Sequence, residues 1–138
     1  MHKFFCSFNQ FTQKYELTQS KPNNNWLFGA RINAQTENTL LGEIKSLLQE
    51  IYFNIVLVKE KETNENRLNL LDETELLISN LYYSLFASPL ELPERGKSTT
   101  GTELPQTLEL VGKLEKAINI PEYNRIATII RNNISSLI

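Results

Sequence analysis

Few residues of this chain could do chemistry. There is one histidine, His2, and one cysteine, Cys6. Cys6 stands among Phe4, Phe5 and Phe8, surroundings in which a thiol is more often inert than activated. Only His2 could serve as its base. Zinc sites of the Cys/His type need several such ligands, and a di-iron bundle needs Glu-x-x-His pairs on facing helices. The sequence supplies neither. The carboxylates Glu60, Glu62, Glu65, Asp72, Glu73 and Glu75 are clustered. They could form an all-oxygen magnesium or calcium site, but a solvated helix edge accounts for them more simply. Arg95-Gly96-Lys97-Ser98-Thr99 resembles the end of a phosphate-binding loop. That loop requires Gly five positions before Gly96, and Glu91 stands there. No metal, cofactor or catalytic set is expected, and the chain reads as a binding or scaffold protein rather than an enzyme.

The basic residues of the last third remain as candidates for binding. Arg95 and Lys97 lie in a loop, Lys113 and Lys116 on one expected helix, and Arg125 and Arg131 on the next. Such a set could hold phosphates without reading sequence, although Glu109, Glu115 and Glu122 dilute it. The net charge is −2, but it is unevenly spread. Residues 1–35 carry +3, residues 36–94 carry −7 and residues 95–138 carry +2. Basic flanks around an acidic middle could turn one face towards a polyanion. Ordinary helix-surface charge would give the same pattern.

These residues must be positioned by helices. In the stretch of residues 40–58, Leu40, Leu41, Ile44, Leu47, Leu48, Ile51, Tyr52, Ile55 and Val58 recur at steps of three and four. The spacing predicts a helix over residues 37–60, about 35 Å long, capped by Thr36 or Asn38. Its apolar face is wide enough for two or three partners, which makes it the central post of a bundle. Phe4, Phe8, Phe11 and Tyr15 carry helical spacing too and predict a first helix over residues 2–19. The aromatic stripe reads as core before it reads as a platform for stacked bases. A short helical piece is expected at residues 26–32. After a polar hairpin at residues 59–66, Leu68, Leu71, Ile78, Tyr82 and Leu85 predict a helix from near Glu65 that ends before Pro89. Asp72 with Glu75 also fits a capping box, which would break it. A long loop with two Pro and two Gly follows, residues 88–101. Thr102 can cap the next helix, marked by Leu104, Leu108, Val111, Leu114 and Ile118. Pro121 suits the first turn of a last one, marked by Tyr123, Ile126, Ala127, Ile130, Ile134 and Leu137. The expectation is an all-α fold, a helical bundle of about five helices in a single domain over residues 1–138, with no strand.

The start of the chain is not a signal peptide, and no stretch approaches the roughly 20 apolar residues of a membrane span. With one cysteine and no possible internal disulfide, a reducing, cytoplasmic setting is the simpler reading.

In length, helical pattern, missing catalytic set, and the cations Lys113, Lys116, Arg125 and Arg131 on its last two helices, the chain resembles the small helical subunit of CRISPR surveillance (Cascade-type) effector complexes. The resemblance implies an RNA- and DNA-contacting, non-enzymatic subunit of an antiviral defence complex. It also implies other protein subunits as partners, guide RNA or DNA backbone as a contact, and several copies side by side. The net acidic charge departs from that family's expectation. The alternative is a helical protein–protein interaction module, an adaptor or antitoxin-like partner, without nucleic-acid contact. Its apolar residues, including Tyr82, Tyr83 and Phe86, would then form an exposed anchor patch.

Overall fold

The computed structural model describes residues 5–9, 14–18, 34–91 and 101–138, with side chains described from residue 39 onward. The chain begins with two strands, β1 (Phe5–Asn9) and β2 (Lys14–Thr18). Helix α1 (Ala34–Lys61) and helix α2 (Glu65–Phe86) come next. Helix α3 (Glu103–Ala117) leads through a two-residue strand β3 (Ile118–Asn119) into helix α4 (Pro121–Leu137).

The four helices form the body. α1 packs on α2 and α3, and α4 packs on the same two helices. α1 and α4 therefore occupy one diagonal of a four-helix bundle, and α2 and α3 the other. The α1 stripe read from the sequence faces the centre: Ile44, Leu48, Ile51 and Ile55 are fully buried. They meet Leu71, Ile78 and Leu81 of α2, Val111 and Leu114 of α3, and Ala127, Ile130 and Ile134 of α4 in one core. α1 also buries Asn54 and Leu57, which lie off that stripe. Its second buried side fits its additional contacts with β1 and β2.

Where a first helix was expected over residues 2–19, the described residues 5–9 and 14–18 form two strands instead. β1 and β2 pair antiparallel, with Cys6 opposite Leu17, Ser7 opposite Glu16, Phe8 opposite Tyr15 and Asn9 opposite Lys14. In these four pairs apolar meets apolar and polar meets polar across the strands, while Phe5 stands opposite Thr18 at the far end of the pair. The interval of seven between Phe8 and Tyr15 fits two helical turns, but the two residues stand as cross-strand partners. Tertiary pairing decides between them. Leu17 and Thr18 of β2 run parallel to Ile118 and Asn119 of β3, which gives a small sheet of order β1-β2-β3 against α1 and α3. The expectation of no strand is corrected here, and among the described residues the helices number four where about five were expected. The predominantly helical reading holds for the rest. The short helix expected at residues 26–32 lies outside the described residues.

The connections explain where the helices stop. The Asn64 side chain accepts a hydrogen bond from the Arg67 backbone amide at 3.1 Å and so caps α2. The Glu62 carboxylate accepts from the Thr63 and Asn64 amides, both at 3.2 Å, and from Arg67 Nε at 2.8 Å. α2 runs unbroken past Asp72, whose carboxylate pairs with Lys59 of α1 at 2.5 Å. α2 ends where Ala87 takes a left-handed conformation (φ 52°), its amide donating to the Tyr83 carbonyl at 2.8 Å. Pro121 begins α4, as its fixed φ favours.

Candidate nucleic-acid interface

α3 and α4 are joined by residues 118–120, of which Ile118 and Ile120 are fully buried. Asn124 fixes this joint. Its side-chain amide donates to the Glu115 carbonyl at 2.8 Å and to the Ile118 carbonyl at 3.0 Å. The last carbonyls of a helix have no intrahelical donor, so one side chain from the first turns of α4 closes the end of α3. One turn further along, the Thr128 hydroxyl donates to Glu115 Oε2 at 3.1 Å. Arg131 Nε stands 3.3 Å from Glu115 Oε1. That is ion-pair distance without hydrogen-bond alignment, since no hydrogen bond reaches Oε1 among the described residues. Asn124, Thr128 and Arg131 recur at four and three residues, so one edge of α4 converges on Glu115, Asn124 on its backbone carbonyl and the other two on its carboxylate.

This geometry divides the six cations read from the sequence. Lys113 and Lys116, in the last turns of α3, and Arg125, in the second turn of α4, are exposed. Because the three-residue joint folds α4 directly back from α3, it brings all three to one end of the bundle. Arg131 is also exposed, but it is occupied by Glu115, and its first role is to tie the two helices together. Arg95 and Lys97 lie outside the described residues. Glu109 and Glu122 are exposed on the same two helices and reduce the positive potential there.

Of the clustered carboxylates, Glu62, Asp72 and Glu75 are ion-paired. Lys59 Nζ bridges Asp72 Oδ1 at 2.5 Å and Glu75 Oε2 at 3.0 Å. The Tyr52 hydroxyl donates to Glu75 Oε1 at 3.0 Å. Hydrogen bonds to Asp72 and then Glu75 raise the Lys59 ammonium well above its ordinary pKa. Burial, followed by the hydrogen bond to Glu75, raises the Tyr52 phenol. Among the described residues no three potential ligands are grouped to hold a metal ion.

Of the three aromatics expected in an exposed patch, the structure separates Tyr82 from Tyr83. Tyr82 is buried and packs on Phe86, ring centroids 4.8 Å apart. Tyr83 is exposed, and so is Leu76, seven residues earlier on α2. Leu76 was not among the residues singled out from the sequence. Its signal was available: it falls outside the stripe Leu71, Thr74, Ile78, Leu81, Leu85 that α2 buries.

No helix among the described residues is long and apolar enough to cross a membrane. Comparison with known proteins finds no matching family model, no matching curated protein and no matching solved structure.

Proposed function

We propose that the protein is a non-catalytic helical subunit of a nucleoprotein assembly of the CRISPR-effector kind, gripping nucleic-acid backbone with the α3–α4 end of its bundle. One observation carries this reading. Lys113, Lys116 and Arg125 are exposed on either side of the α3–α4 joint, with no ion pair among the described residues, whereas Lys59, Arg67 and Arg131 are each held by a carboxylate. Ammonium and guanidinium groups on a fixed helix end contact phosphates without reading bases. Three such contacts give weak, sequence-independent binding, which neighbouring subunits in an assembly strengthen through effective concentration.

The triple variant Lys113→Glu, Lys116→Glu, Arg125→Glu tests it. With wild-type protein, the plot of log affinity for a generic duplex against log salt should fall with a slope of about −2 to −3, as three released counterions require. The triple variant should lose this binding and keep its thermal stability. Equal binding by both proteins at moderate salt defeats the proposal. The reading as a protein-interaction module is favoured by a different observation, the exposure of Leu76 and Tyr83 on α2. It is compatible with a subunit that also has protein neighbours.

A further inference from the structure

The Glu115 carboxylate has few hydrogen bonds for its burial. Its side chain is 16% exposed, and Oε1 receives no hydrogen bond among the described residues. Oε2 receives one from the Thr128 hydroxyl at 3.1 Å, but that hydroxyl stands equally 3.1 Å from the Asn124 carbonyl and has one proton for two acceptors. The remaining compensation is the Arg131 guanidinium, with Nε 3.3 Å from Oε1. A carboxylate so placed holds its cation firmly, because losing it leaves a charge largely out of water with nothing opposite. Glu115 is itself fixed by Asn124, which donates to its backbone carbonyl at 2.8 Å. Arg131, by contrast, has a side chain that is 45% exposed, and the pair borders Lys116, the residue after Glu115 on α3. Of the four cations on α3 and α4, Arg131 is the one with a carboxylate partner among the described residues. Guanidinium and carboxylate together carry no net charge, and a neutral pair has no condensed counterion to release from a phosphate backbone.

We propose that Glu115 keeps Arg131 out of the contact with nucleic-acid backbone and so sets the strength with which one copy grips phosphate. This regulation rests on the α3–α4 interface proposed above. Lys113, Lys116 and Arg125 engage phosphate, and Arg131 is a fourth cation locked within the protein. The lock is electrostatic, so removing the charge of Glu115 without changing its size hands Arg131 to the phosphates. A single copy stays a weak binder, and tight binding is left to copies side by side.

Binding of a generic DNA duplex across a salt series tests it, with the full-length wild type, Glu115→Gln, Arg131→Gln and the double variant. One further phosphate contact steepens the slope of log affinity against log salt by about 0.9, which is roughly eightfold in affinity at ~0.1 M salt. Glu115→Gln should show both changes. Arg131→Gln alone should leave the wild-type slope as it is, and the double variant should lose the gain. Glu115→Gln equal to wild type overturns the proposal. So does a gain that survives in the double variant, because loss of any nearby acidic charge then explains it. The wild type gives a readout that needs no substitution: the Arg131 Nε–H resonance should stay in place as duplex is added, and a shift on binding overturns the lock. Failure of both wild type and Glu115→Gln to bind duplex defeats the interface itself, and this regulation with it. Binding by wild type that Glu115→Gln does not improve defeats the regulation alone.

Discussion

Asn124 offers the sharpest test of how the bundle is closed. Replacing it with Ala removes both donors to the Glu115 and Ile118 carbonyls at a partly buried joint. Each carbonyl left without its donor costs about 1–3 kcal/mol when water cannot reach it, and less when it can. Part-burial places the sum near 2 kcal/mol, which for a domain of this size lowers Tm by roughly 4–10 °C. Asn124→Asp is expected to be worse than Asn124→Ala above about pH 5, because a carboxylate would face two carbonyl oxygens. Below the carboxyl pKa the proton restores one donor, so the Asp variant should recover and approach or pass the Ala variant. Urea unfolding followed at 222 nm (the usual helical band) across this pH range reads both effects. If Ala and Asp behave alike at neutral pH, or if either costs less than about 0.5 kcal/mol, Asn124 does not hold the joint.

Three further predictions concern the helices. Gly112 lies inside α3, where an added Cβ would meet nothing within 4 Å, so Gly112→Ala should stabilise the fold by about 0.5–1 kcal/mol in a chemical melt. Ala87 sits at φ 52°, and Ala87→Gly should raise stability by up to about 1 kcal/mol through relief of left-handed strain, partly offset by unfolded-state entropy. A thermal scan showing destabilisation would contradict it. The Arg67 guanidinium, followed by the Asn64 amide, holds the Glu62 carboxyl below its ordinary range. A depressed carboxyl contributes stability above its unfolded pKa and loses it as pH falls through the folded one. Glu62→Gln should therefore flatten the acid limb of the stability profile below about pH 4.5 and leave its alkaline limb unchanged.

The helical part of the fold was legible because burial and period agree there. Leu40, Ile44, Leu48, Ile51 and Ile55 satisfy a helical repeat and are all buried. The stops at Asn64, before Pro89 and at Pro121 are local backbone chemistry that a sequence displays openly. The pairing of β1 with β2 was not legible, because Phe8 and Tyr15 satisfy two periods, and only their pairing with each other, with Leu17 and Thr18 held on β3, chooses one. The candidate site was legible in part. Lys113, Lys116 and Arg125 are exposed as their places off the apolar stripe imply. Arg131 differs because its partner, Glu115, lies sixteen residues away on another helix. No spacing rule within one helix foretells an ion pair between two.

The pairing of Leu17 and Thr18 with Ile118 and Asn119 joins stretches about a hundred residues apart in the chain. Closing so long a loop has a high entropic cost before any contact rewards it. β2 therefore seats on β3 only once the corner between α3 and α4 exists. Backbone amides of β2 should then exchange with deuterium sooner than those around Ile51. On that reasoning the helical core outlasts the β2–β3 pairing during local opening, and the seam between β2 and β3 is where exchange should start.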